Sequence, residues 1–115
     1  MGQLFLKLDQ DTWQFGDFST ESKLTGVVYT DKGLTLPKNL TGFTLSLNLF
    51  KRWHRTSFLN EAASIVTAAD GTWEYAVTQD NFIHPGTFLL EIELTKSNVH
   101  ESTKPVEFFV KWGPA

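Results

Sequence analysis

The sequence predicts an all-β fold, an antiparallel β-sandwich of seven to eight strands, on three observations. Apolar residues alternate along several segments, most clearly where Phe88, Leu90, Ile92 and Leu94 interleave with Leu89, Glu91, Glu93 and Thr95. A period of two places one set on each face of a strand. The same pattern recurs at Phe43/Leu45/Leu47/Leu49, at Trp73/Tyr75/Val77 and at Val106/Phe108/Val110/Trp112. Turn residues separate these runs at intervals of about 8–12 residues, the spacing of an immunoglobulin-like sandwich. The one helical rival is Asn60 to Ala69, where Glu61, Ala62 and Ala63 favour a single turn and nothing longer.

The elements follow in order. Leu4, Leu6 and Leu8 alternate with Phe5, Lys7 and Asp9, giving an opening strand. Residues 10–23 read as a short strand and a loop: Trp13, Phe15 and Phe18 are apolar, but Gly16, Asp17 and Ser19-Thr20-Glu21-Ser22 break any regular pattern. Val27 to Thr30 is a strand ended by Asp31-Lys32-Gly33, and Leu34 to Leu36 is expected as a further short strand before Pro37. Asn39 to Gly42 leads into a long strand from Phe43 to about Lys51. Lys51 to Asn60 is expected as a loop. Ser64 to Ala69 and Thr72 to Thr78 flank Asp70-Gly71, a strong hairpin signal. His84-Pro85-Gly86 opens the strand from Thr87 to Thr95. The polar run Ser97 to Thr103 is then expected to close a hairpin onto Val106 to Trp112.

Composition bounds the function. A chain of 115 residues fits one domain large enough to bury a core without a disulfide or metal staple. Residues 1–112 are read as that domain, and Gly113-Pro114-Ala115 as the start of a linker to a further C-terminal region. The absence of cysteine excludes a disulfide framework and a Cys-ligated zinc. A net charge of −3 argues against a general nucleic-acid binder. The N-terminus lacks the apolar core of a signal peptide, and no window reaches the roughly 18 apolar residues of a membrane helix.

The motifs carry little chemistry. Glu91 and Glu93 lie about 6–7 Å apart along one strand face, a separation glycosidases use, but a flat solvated face supplies no cleft. His54, His84 and His100 show no metal-ligand spacing, and Asp9 and Asp11 lack the further oxygens of a calcium loop. No Gly-x-Ser-x-Gly elbow or phosphate-cradling loop is present, so neither a catalytic residue nor a cofactor is assigned. Asn39-Leu40-Thr41 fits a glycosylation sequon, a triplet common by chance.

Lys51-Arg52-Trp53-His54-Arg55 is the one dense cluster of cations and aromatics. It reads either as a strand end with solvated charges or as a contact surface for a protein, a sugar ring or a base. Among the four tryptophans, Trp73 and Trp112 share parity with core residues, leaving Trp13 and Trp53 as the candidate exposed platforms. The contact candidates are therefore Trp13, Arg52, Trp53, His54 and Arg55.

Read together, the motifs from Leu40 onward carry a resemblance. Leu40-Thr41-Gly42-Phe43-Thr44-Leu45 comes first, then an apolar alternating strand and Asp70-Gly71-Thr72-Trp73-Glu74-Tyr75. Pro85-Gly86-Thr87-Phe88-Leu89-Leu90-Glu91-Ile92 and a last strand at Val106 to Val110 complete the series. Over about residues 20–112 this resembles the N-terminal immunoglobulin-like domain of phage baseplate upper proteins, from phages and prophages of Gram-positive bacteria. Leu36-Pro37-Lys38-Asn39 departs from the acidic turn usual before the family's Leu-Thr-Gly. The resemblance implies a virion structural protein, assembled in the bacterial cytoplasm. Such a protein would dock to the tail-tip core and anchor receptor-binding proteins or fibres, with other baseplate proteins as partners. It carries over no catalytic residue. The isolated domain is expected to be a monomer and the full-length protein an oligomer. The alternative is a carbohydrate-binding module for host surface polysaccharide, stacking on Trp13 or Trp53.

Overall fold

A computed structural model describes residues 4–10, 12–14, 23–51, 54–77 and 86–111. They form nine strands: β1 (Phe5–Leu8), β2 (Thr12–Gln14), β3 (Lys23–Tyr29), β4 (Thr44–Lys51), β5 (His54–Thr67), β6 (Thr72–Ala76), β7 (Gly86–Lys96), β8 (Val99–Ser102) and β9 (Val106–Lys111). The strands make one strongly curled, mostly antiparallel sheet in the order β1-β3-β6-β5-β4-β7-β9-β2, with β8 also on β7. The count exceeds the seven to eight expected. The β2–β9 pair, with Trp13 beside Val110, is parallel, which local alternation cannot reveal.

Alternation decides which residues turn inward. Leu45, Leu47 and Leu49 of β4, Phe88, Leu90, Ile92 and Leu94 of β7, and Phe108 and Val110 of β9 are buried, as their period predicts. They meet Leu6 of β1, Leu24 and Val28 of β3 and Trp73 and Tyr75 of β6 in one apolar cluster. Phe50 is also buried but has the opposite parity, because the β4–β5 register slips on either side of it. Trp112 lies outside the described residues.

β5 corrects the expected loop at Lys51 to Asn60. It runs for 14 residues, pairing through Leu59–Ala63 with β4 and through Ser64–Thr67 with β6. Leu59, Ala63 and Ile65 pack against the core, and that tertiary contact overrides the helix preference of Glu61 to Ala63. Helical geometry survives as one 3₁₀ turn, Ala68–Asp70, closed by Gly71 at φ 70°. A Cβ on Gly71 would sit 2.5 Å from the Val28 carbonyl oxygen, so glycine is required there on two counts.

Leu34 to Leu36, expected as a strand, is instead a turn. The Asp31 carboxylate accepts bonds from the Thr35 and Leu36 amides and from the Thr35 hydroxyl at 2.6–2.9 Å. This curls the chain and holds Leu34 at φ 58°, and a Tyr29–Pro37 bridge closes the loop. The last hairpin is likewise tighter than expected. Asn98 adopts φ 62°, the turn is Ser97-Asn98, and Val99–Ser102 is strand β8 rather than connecting loop.

β8 and β9 lie end to end along the same edge of β7. Glu93 pairs with Ser102 and Leu90 with Val106, so Glu91 and Ile92 oppose three residues, Thr103, Lys104 and Pro105. This bulge turns the Lys104 amide away from β7 to donate to the Leu4 carbonyl at 2.9 Å, beside a parallel Leu4–Thr103 bridge. Proline, which has no amide hydrogen, follows where no ladder bond is needed.

Candidate interaction surface

Of the residues singled out from sequence, the structure describes the backbone of Trp13, His54 and Arg55 and the side chain of Trp13. Lys51 ends β4 exposed, its Nζ 5.9 Å from the centroid of the Phe88 ring. His54 opens β5 opposite Lys51, with Arg55 next in the strand. Arg52 and Trp53 lie outside the described residues, as do the side chains of His54 and Arg55. Trp13 corrects an expectation. Its indole is only 6% exposed and belongs to the core cluster, because β2 lies on β9 at the inward-facing Val110. An indole so placed offers no open face to a sugar ring.

The outer face of β4, β5 and β7 is more structured than the bare solvated face expected. Asn48 Nδ2 donates to Glu91 Oε1 at 3.0 Å, and Glu91 is 8% exposed. Glu93 takes a weaker contact from Asn60 Nδ2 at 3.5 Å, and His100 Nε2 stands 3.5 Å from its other oxygen. The two glutamates of β7 are thus met by an amide from adjacent β4, an amide from β5 beyond it and an imidazole from β8. Sequence reading missed the pairing, although Asn48 and Asn60, polar residues in strand positions, were its available signal.

A second feature had no sequence signal. A shallow groove of about 520 Å³ runs between β1 and β9, lined by Leu6 to Gln10, Leu34, Val106, Glu107 and Phe109. One of its two carboxylates, Asp9, is engaged by the Thr25 hydroxyl at 2.6 Å. The groove brings together no nucleophile with a base and, among the described residues, no three His, Asp or Glu side chains converge on a metal position. No helix among the described residues is long and apolar enough to cross a membrane.

A lysine pair fastens one end of the sheet. The Phe43 ring receives Lys96 Nζ at 4.5 Å and Lys38 Nζ at 5.2 Å, and Lys38 also pairs with Glu101 at 3.3 Å. Both lysines are therefore committed to packing the β3–β4 connection against the β7–β8 hairpin.

No curated protein matches the chain. Residues 28–113 match the BppU N-terminal domain, a span that takes in the end of β3, all of β4 to β9 and the Leu40-Thr41-Gly42 and Asp70-Gly71 turns. The chain therefore belongs to the BppU N-terminal domain family, that of the baseplate upper protein, a structural component of phage baseplates.

Proposed function

We propose that this domain docks onto the tail-tip core of a phage of Gram-positive bacteria and anchors receptor-binding proteins or fibres at the baseplate periphery. The family match over residues 28–113 carries the reading. Residues 1–112 form the docking module, and 113–115 lead into a C-terminal region that holds the peripheral proteins. The fold is read as an immunoglobulin-like sandwich. In its favour, β1 pairs with β3 while β2 crosses to β9, and β5 passes from β4 to β6 over a shared core. The contact segment is the β4–β5 corner, Arg52, Trp53, His54 and Arg55, where cations and an indole cluster in the sequence. The isolated domain is monomeric and assembles through its partners.

The test is fractionation of phage lysates carrying a tagged copy of the full chain. Co-purification with intact tails, lost when the β4–β5 corner carries Arg52→Ala, Trp53→Ala and Arg55→Ala together, is the expected result. Tails that assemble and infect without the chain would overturn the reading. Saturable binding of the domain to isolated cell walls would replace it with polysaccharide recognition.

A further inference from the structure

We infer that the outer edge of β5, at Leu59–Ala63, accepts an extended segment of another baseplate polypeptide, and that this segment carries Lys or Arg opposite Glu61. The inference rests on the baseplate reading and names where on the domain one contact is made.

The hydrogen-bond parity of the sheet identifies the edge. Ile92 directs its carbonyl and amide at Thr103, away from β4. Leu47, opposite Ile92, therefore turns its own backbone groups toward β5, where its partner is Glu61. Glu61 is thus bonded inward to β4, and the amides and carbonyls of Asn60 and Ala62 face the other way. β6 covers that side only from Ser64 onward. Among the described residues no strand pairs with the outer side of Leu59–Ala63.

The chemistry of this edge selects its occupant. Backbone donors and acceptors repeating about every 6.8 Å are matched by another extended chain. Edge strands are commonly guarded by lysine, proline, a bulge or a charge at a core-side position. Leu59–Ala63 contains neither lysine nor proline, its register with β4 is unbroken, and the charge is its one guard, which makes the edge selective rather than closed. Its single charge is Glu61, exposed although it shares the core-side parity of half-buried Leu59 and Ala63. A carboxylate between two apolar positions repels a purely apolar strand and rewards a cation in the facing position. The complementary segment reads apolar, any, Lys or Arg, any, apolar, its ends covering Leu59 and Ala63. Asn60, Ala62 and Ser64, all exposed on the opposite face, set no bulk against it.

The experiment is amide hydrogen exchange on the full-length chain, free and in purified baseplates, with Ala62→Pro and Glu61→Lys as variants. The Asn60 and Ala62 amides should exchange at least about a hundredfold more slowly in the baseplate. Ala62→Pro, which removes an outward donor, and Glu61→Lys, which reverses the charge, should each lower incorporation. Glu61→Gln should lower it less. Incorporation with both amides exchanging as in the free chain overturns the edge assignment and leaves the baseplate reading intact. A chain absent from baseplates overturns both. Protection that appears in the free chain as its concentration rises makes a second copy the occupant and overturns the heterologous partner. Should Ala62→Pro fail to fold, the charge series and the exchange of the unmodified chain decide alone.

Discussion

Asn48 Nδ2 donates to Glu91 Oε1 at 3.0 Å across the β4–β7 ladder, on the face of the sheet opposite the apolar core. Glu91 is a buried residue and this bond is partly buried, so removing the donor leaves its acceptor short of a partner. Asn48→Ala should cost about 1–3 kcal/mol in urea unfolding. Asn60→Ala, which loses only a 3.5 Å exposed contact to Glu93, should cost under about 0.5 kcal/mol. Equal costs would mean that burial of Glu91 does not govern the difference.

Gly26 is a packing site within β3. A Cβ there would lie 2.7 Å from the Lys7 carbonyl oxygen and 2.7 Å from Cζ2 of the fully buried Trp73. Neither neighbour is a flexible chain end. Gly26→Ala should destabilise by about 1–3 kcal/mol, through displacement of β1 or of the indole. Gly33→Ala, whose closest atom is an exposed carboxylate at 3.3 Å, provides the comparison and should cost less. A neutral Gly26→Ala in thermal melts would contradict the close approach.

The strand register of β7 and β9 has a direct test. Ile92→Ala and Phe108→Ala remove side chains with 0% exposure and should each cost about 2–5 kcal/mol. Glu93→Ala, on the outer face, should cost well under about 1 kcal/mol. Similar urea midpoints for the two classes would require a register shifted by one residue.

Asp31 gives the β3–β4 turn a pH dependence. Its bond from the Thr35 hydroxyl, followed by that from the Leu36 amide, lowers its pKa below the ordinary 3.8. The folded state therefore favours the carboxylate, and its contribution is full above the unfolded pKa and lost as pH falls through the lower folded value. Titration followed by NMR should place the Asp31 midpoint below 3.8, with the Thr35 and Leu36 amide shifts moving together. Asp31→Asn should abolish that coupled movement. A midpoint above the ordinary value would refute the bonding described.

Much of the fold was legible because burial imposes a period on sequence. Phe88 to Leu94 and Phe43 to Leu49 each have one wholly buried face, so their alternation is clean. The end of β5 from Ser64 was legible, but its earlier part was not, because Asn60, Glu61 and Ala62 are exposed on both faces and the burial that would write a period is missing. Trp13 misled because its burial depends on a parallel partner almost a hundred residues away in the chain. Glu91 misled in the opposite sense, since a glutamate at an outward position advertises solvent while Asn48 receives it under cover. The contact candidates were chosen by residue type alone, and only Trp13 among them has a described side chain.

The two contacts that join the first strands to the last, Leu4 with Thr103 and Lys104, and β2 with β9, both run parallel. Tension applied between residues near the two ends of the described chain would act along these strands rather than across them. The bonds of β2 would then bear load together, in shear, instead of opening one at a time like a zipper. For a structural component of a phage baseplate, mechanical endurance is a rate of forced unfolding rather than an equilibrium stability. Pulling in this direction should meet the greatest resistance at the seam between β2 and β9.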